Sequence, residues 1–321
     1  MASRISGEPL IEVLRGKHVE SVHDVAAYAV DAHGLVIFSM GDVDEPVYLR
    51  SSAKPFIAAT ALLAGVVEQF GLEPPEIAVM AASHAAEPFH IHAVRSILNK
   101  IGMDESALQC YAEPAALYDN CSGKHAGILA LCKAIGADPA TYMEIENPAQ
   151  QRILEFCAMM SDQRLEHMPV AVDGCGVPVY AVPLRSAARS YIRFGTLTGT
   201  DAPTVRALGT VRNAMMAFPE YMSDTGDFDA ELMRAYGGNL VCKGGAEGVH
   251  ALTLLAQGIA VVPLIGRRSA VQETEATSLQ MILFILVIAS NQRRSMYGTR
   301  HAVANVWQKR ARSIVAPRAT F

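Results

Sequence analysis

The chain contains no Walker loop, no GxGxxG following a strand, no GxSxG and no HExxH. Their absence removes P-loop nucleotide hydrolysis, Rossmann dinucleotide binding, nucleophile-elbow hydrolysis and zincin proteolysis. There is no CxxC among the six cysteines (Cys110, Cys121, Cys132, Cys157, Cys175, Cys242), so spacing alone announces no metal site. Residues 1–16 show no apolar h-region, and no secretory signal is expected. The densest apolar run, LQMILFILVIA at 279–289, is short of the ~20 residues a spanning helix needs and reads as a buried helix or strand. The expected compartment is therefore the cytoplasm, where the cysteines are core residues, metal ligands or reactive thiols. No internal repeat and no low-complexity linker occurs.

Negative charge is missing from the end of the chain. All 32 acidic residues lie at or before Glu275. Beyond it stand the Lys and Arg residues Arg293, Arg294, Arg300, Lys309, Arg310, Arg312 and Arg318, with no acidic residue among them. A basic tail can attract nucleic acid or acidic lipid. No aromatic or glycine-rich recognition pattern accompanies it, so neither partner is expected.

What remains is an ordinary globular composition. The 321 residues are 51% hydrophobic and 18% charged, enough for one large domain or two small ones around a buried core. Residues 22–38 read as a β-hairpin turning at 31–34, and 47–50 as a continuation of that sheet. Residues 54–70 read as one helix, 76–82 as a short strand, and 89–101 as a helix stopped by Gly102. Residues 122–135 read as a core helix with Ser122 as its cap, and 147–160 as another capped by Asn147. Strand, turn and strand fill 170–184. Helices are expected at 203–218, 229–235 and 246–255, with a short apolar segment at 239–243. Strands early and late with helices between argue for α+β or a mixed sheet faced by helices.

Five segments carry polar groups suited to chemistry. Ser51-Ser-Ala-Lys54 places a hydroxyl and an amine on one face of a first helical turn, where a neighbouring cation or burial can turn the lysine into a base. Ser83-His84 follows an apolar run and precedes a helix, where backbone N–H groups can hold an oxyanion. Asn120-Cys-Ser-Gly-Lys-His125 and Asp173-Gly-Cys-Gly-Val-Pro178 each bring a cysteine into a glycine-rich turn. Cys121, Lys124 and Cys175, with Asp173, can enclose a zinc ion, provided that the metal displaces the lysine proton. Lys243 ends an apolar segment next to two glycines. Each also has a plain structural reading: helix caps, buried cysteines, an exposed lysine. His90 and His92 face apart on a helix and read as structural.

In this order, LRSSAKPF at 49–56, ASHAAEP at 82–88, NCSGKHAGIL at 120–129, DGCGVP at 173–178 and LVCKGGAEGV at 240–249 resemble the rhizobial-type (class 3) L-asparaginases, the asparaginase II family. NCSGKHAG is the most specific of them, and the resemblance runs from about residue 8 to 260. It implies an α+β fold, an antiparallel sheet with packed helices, like that of penicillin-binding proteins and serine β-lactamases. It implies Ser51 beside Lys54 and Ser83 beside Lys243 as catalytic pairs, with either serine as nucleophile. It further implies zinc on Cys121, Lys124 and Cys175, with Arg50, Asp173 and His125 near the substrate. The activity implied is hydrolysis of L-asparagine to L-aspartate and ammonia by a homodimer.

Two departures stand out. Ala85 and Ala86 replace the Ser-Gly or Ser-Ser of many relatives. The chain after Ala260 lacks the family's usual continuation, and Pro263 removes a donor from the strand expected there. The sequence thus divides into an asparaginase II-like catalytic domain, 1–262, and a divergent basic tail, 263–321, either diverged or produced by a reading-frame change. A Ser-Lys hydrolase of penicillins or peptides, and an inactive metal-holding relative, are the competing readings.

Overall fold

The computed structural model describes residues 8–15 and 17–267, so the apolar run at 279–289 and the basic tail after Arg267 lie outside the described residues. Nine strands and nine α-helices are found among those described, with six short 3-10 turns between them. The main sheet is antiparallel throughout. β2 (His18–Asp31) turns into β3 (Val36–Met40), as expected, through Gly34 at φ +83°. The Asp31 carboxylate fastens the turn by accepting from the N–H groups of His33 and Leu35. β1 (Glu8–Arg15) pairs with the first half of β2, and the sheet continues from β2 through β9 (Ile259–Arg267) and β8 (His250–Leu254) to β7 (Leu240–Gly244). β1 and β3 share one edge of β2, because β9 pairs with the same β2 residues from the other side.

β9 is central, and it runs through Pro263. Its direct ladder with β8 ends at Leu252↔Val261 and resumes only as a single bridge, Val249↔Leu264. Pro263 falls in that gap on the β8 side, while on the other side it stays in register with Ala27 of β2. A second sheet has the order β4 (Pro46–Tyr48), β6 (Pro178–Pro183), β5 (Val170–Val172). Residues 46–48 therefore belong to this smaller sheet rather than extending the hairpin.

The helical layer is built around two buried segments. α1 (Lys54–Leu63) packs against α5 (Ser122–Ile135), α6 (Pro148–Ser161) and α8 (Ala202–Ala217). The expected single helix over 54–70 is two, because Gly65 at φ +82° ends α1 before α2 (Val66–Phe70). Residues 76–82 are not a strand. Pro74 and Pro75 start α3 (Pro74–Met80), and Glu73 and Glu76 close a reciprocal capping box. α4 (Pro88–Lys100) stops before Gly102 as expected. Asn147 caps α6 through Ala149 N–H, but Ser122 lies inside α5, with Cys121 at the cap position.

Sequence reasoning passed over α7 (Leu184–Thr196). Arg185, Arg189 and Arg193, four residues apart, mark its outer stripe, while Ala187, Ala188, Tyr191 and Phe194 are buried. α7 covers β2, β8 and β9, and Tyr191 and Phe194 meet Phe56 of α1 edge-on. α9 (Phe228–Ala235) lies against β7. The segment expected as a helix at 246–255 is a turn followed by β8, whose five residues are all buried between two strands. The fold is α+β, an antiparallel sheet with helices packed on it.

Candidate active site

β4 leads into a tight turn at Arg50–Ala53, and α1 follows at once. The turn is anchored by Ser52, whose hydroxyl donates to the Lys243 carbonyl at 3.1 Å and whose carbonyl accepts from Tyr191 Oη at 2.7 Å. Gly245 lets β7 come this close: a Cβ there would stand 2.7 Å from the Leu49 carbonyl oxygen. The end of β7 is thus fastened to the start of α1.

Lys54, the first residue of α1, is 1% exposed. Its Nζ donates to the Ala82 carbonyl at 2.6 Å and to Ser83 Oγ at 2.9 Å. Ser83 lies in the loop between α3 and α4 and is partly exposed. A buried amine therefore meets a hydroxyl that solvent can reach, the geometry of a general base beside a nucleophile. Ser51 is partly exposed too, but its hydroxyl makes no hydrogen bond among the described residues. Burial, with Lys124 and Lys243 nearby, lowers the Lys54 pKa to about 8, against the pull of Cys121.

The start of α5 forms the next wall. Gly123 and Gly127 lie on one face of α5, where Cβ atoms would meet the Val79 carbonyl oxygen at 2.2 Å and the Met80 side chain at 2.8 Å. Their smallness seats α5 against α3 and presents Cys121 and Lys124 to the site. Lys124 Nζ donates to Cys175 Sγ at 2.9 Å, and Cys121 Sγ donates to Asn120 Oδ1 at 3.0 Å. The neighbouring Cys175, together with the Lys54 and Lys124 cations, outweighs burial and pulls the Cys121 thiol down, while Cys121 and burial push Cys175 up. Burial works to lower Lys124, but the two sulfurs and Asp173 hold it up as an ammonium.

Arg50, at φ +51°, donates from Nε to Asp173 Oδ1 at 2.7 Å, and Asp173 Oδ2 stands 3.9 Å from Lys124. His125 is fully buried, with Nδ1 on Tyr142 Oη at 2.7 Å and Nε2 unpartnered among the described residues. Cys121, Lys124, Cys175, Asp173, Arg50 and His125 therefore gather around one region, next to Lys54 and Ser83.

Two expectations change. The Ser83 and His84 N–H groups do not stand ready for an oxyanion: they donate to the Met222 and Asn120 carbonyls at 3.0 and 3.1 Å. The lysine bonded to Ser83 is Lys54, not Lys243. Lys243 Nζ donates to its neighbour Gly244 at 2.8 Å and sits 3.5 Å from Asp229 Oδ2, because the buried Asp229 carboxylate holds it. Asp229 also accepts from His250 Nε2 at 2.7 Å and from Gly244 N–H at 2.8 Å. Sequence reasoning missed Asp229 and His250, and the only local signal was their nearness to Lys243 in the chain. It also missed Ser122 as the partner of His84. The Ala86 N–H donates to His84 Nδ1, so His84 Nε2 carries the proton and donates to Ser122 Oγ at 2.8 Å.

The donor set at Cys121, Lys124 and Cys175 suits zinc by its chemistry: two buried sulfurs and, against one of them at 2.9 Å, a buried lysine nitrogen that becomes a ligand once the metal displaces its proton. No helix among the described residues is long and apolar enough to cross a membrane.

The family model described as L-asparaginase II matches residues 11–282. No curated protein matches. Among solved structures, Mglu crystallised in 4.3 M NaCl is 15% identical with a TM-score of 0.50, over 85% of this chain and 61% of that one. The chain thus spans about three fifths of the length of Mglu. A beta-lactamase from Mycobacterium bovis is 15% identical with a TM-score of 0.44, over 83% of this chain and 94% of that one.

Proposed function

Since the chain belongs to the L-asparaginase II family, whose members are amide hydrolases, we propose that it hydrolyses L-asparagine to L-aspartate and ammonia through an ester on Ser83, with Lys54 as base. The hydrogen bond from the buried Lys54 amine to Ser83 Oγ carries this reading. Neutral Lys54 takes the Ser83 proton as Oγ attacks the side-chain amide carbon. The same proton then goes to the departing nitrogen, which leaves as ammonia. Water attacks the ester, gives its proton to Lys54, and Ser83 is released with the acid product. Burial of Lys54 keeps bulk water from competing for its proton.

Arg50 and Asp173, already paired, offer opposite charges for the α-carboxylate and α-amino groups of the substrate. The buried Nε2 of His125, unpartnered among the described residues, is a further polar contact for the substrate. Cys121, Lys124 and Cys175 would hold zinc. Bound there, the ion supplies a Lewis acid at the wall of the pocket.

Ammonia release from asparagine, with glutamine and nitrocefin as controls, tests the assignment. Ser83→Ala and Lys54→Met should each lower kcat by about a thousandfold or more, while Ser51→Ala keeps most of it. Loss in Ser51→Ala with retention in Ser83→Ala would move the nucleophile to Ser51. Full activity in both serine variants would sink the scheme, and nitrocefin turnover without ammonia release would move the chain to a β-lactam substrate.

A further inference from the structure

We propose that Asp229, held by His250, is a positioning carboxylate that fixes the Lys243 ammonium beside the Ser83–Lys54 pair. The inference rests on the amide-hydrolase reading only for its effect on rate. Asp229 sits in the first turn of α9 and is 6% exposed. A buried carboxylate needs partners, and this one has four: His250 Nε2 on β8, Gly244 N–H on β7, Lys243 Nζ at 3.5 Å and, more weakly, Cys242 Sγ at 3.9 Å. The other ring nitrogen of His250 has no partner among the described residues, so its polar contact there is Asp229.

The cluster therefore ties α9, β7 and β8 together at one lysine. Lys243 in turn is joined to the catalytic turn by its own carbonyl, which accepts from Ser52 Oγ two residues before Lys54. With Nζ held by Gly244 O and by the carboxylate, the flexible four-carbon side chain has two anchors. Lys243 also acts electrostatically on Lys54.

Asp229, Cys242 and His250 could be read instead as metal ligands, since their donor atoms lie within 4.8 Å of one another. The His250 hydrogen bond at 2.7 Å and the Lys243 cation already satisfy and neutralise the carboxylate, which leaves it no surplus charge to attract an ion. The arrangement serves the lysine better than a metal.

A double-variant cycle on the full chain tests this with Asp229→Asn, Lys243→Met and both together, read by kcat and KM for asparagine and by Tm. Asp229→Asn should lower kcat about 10- to 100-fold with KM changed less than about threefold. In the Lys243→Met background the same change should cost less than about twofold, and the Tm losses should fall short of their sum. Losses that multiply in kcat, or add in Tm, overturn the proposal. Should Asp229→Asn fail to fold, His250→Gln replaces it: a kcat loss that vanishes in the Lys243→Met background supports the proposal, and one that persists there overturns it. If the unaltered chain releases no ammonia from asparagine, the function reading fails separately. The Tm cycle then decides alone, non-additive losses supporting the positioning role and additive ones overturning it.

Discussion

Ala86 occupies the left-handed region at φ +56°, in the loop that carries Ser83. A Cβ in that region crowds the following carbonyl at a cost of about 1–2 kcal/mol, which glycine avoids. Ala86→Gly should relieve the strain, while the greater freedom of the unfolded chain takes back about 0.4–1 kcal/mol. The expected net gain is on the order of 0.5–1 kcal/mol, seen as a Tm rise of roughly 1–3 °C. The bond from the residue 86 N–H to His84 Nδ1 does not depend on the side chain, so the hydrolytic rate should stay within about twofold. A lower Tm by calorimetry would mean that the alanine methyl contributes packing that outweighs the strain.

The start of α5 depends on two backbones touching. A Cβ at Gly123 would lie 2.2 Å from the Val79 carbonyl oxygen and 2.8 Å from its carbon, and no rotamer change can relieve a clash with backbone. Gly123→Ala should push α5 off α3, lowering stability by about 1–3 kcal/mol, and it should lower activity because Cys121 and Lys124 move with the helix. Gly136→Ala is the control: φ is +71° with nothing within 4 Å of the added Cβ, so about 1 kcal/mol of strain and unchanged kinetics are expected. Urea unfolding and ammonia release on the two variants separate the cases, and equal behaviour would refute the close-approach argument.

The same helix shows what the sequence makes legible. α5 and α6 are long, periodic and bounded by recognisable ends, and the expected bounds agree with the observed ones to within a residue. Short apolar runs carry no usable period. Residues 76–82 read as a strand but form the end of α3, where a proline start and a carboxylate capping box decide the matter. Residues 250–254 read as helix but pair with β7 and β9, partners whose places the local sequence does not encode. The site follows the same rule. Motifs pointed to Lys54, Ser83, Cys121, Lys124 and Cys175, but the Lys54–Ser83 bond joins residues 29 apart, and only the packing of α1 against α3 decides which lysine meets which serine. Asp229 and His250 stand in unremarkable surroundings and acquire meaning only where α9 meets the sheet.

At the scale of the whole molecule, stability should depend steeply on acid. Burial keeps His84 neutral down to about pH 3, and it also lowers His90, which accepts a backbone N–H at Nδ1 as His84 does. In the unfolded chain each binds a proton near its ordinary value of about 6.5. Between about pH 6.5 and 3 the unfolded form therefore holds a proton on residue 84 that the folded form refuses. Stability contributed this way is complete above 6.5 and falls as pH falls, by up to about 1.4 kcal/mol per pH unit for each fully titrating histidine. Asp229 adds a second window. Burial works to raise its pKa, but His250 and Lys243 hold the carboxyl below its ordinary value, so its contribution is lost only below about pH 4. Urea midpoints at pH 7.5, 6.5, 5.5 and 4.5 should fall progressively below 6.5. His84→Gln removes one titrating group, and its pH slope between 6 and 4.5 should be shallower by about one proton. A slope unchanged by that substitution would mean that the folded protein protonates His84 as readily as the unfolded chain does, which its hydrogen bond from Ala86 N–H does not allow.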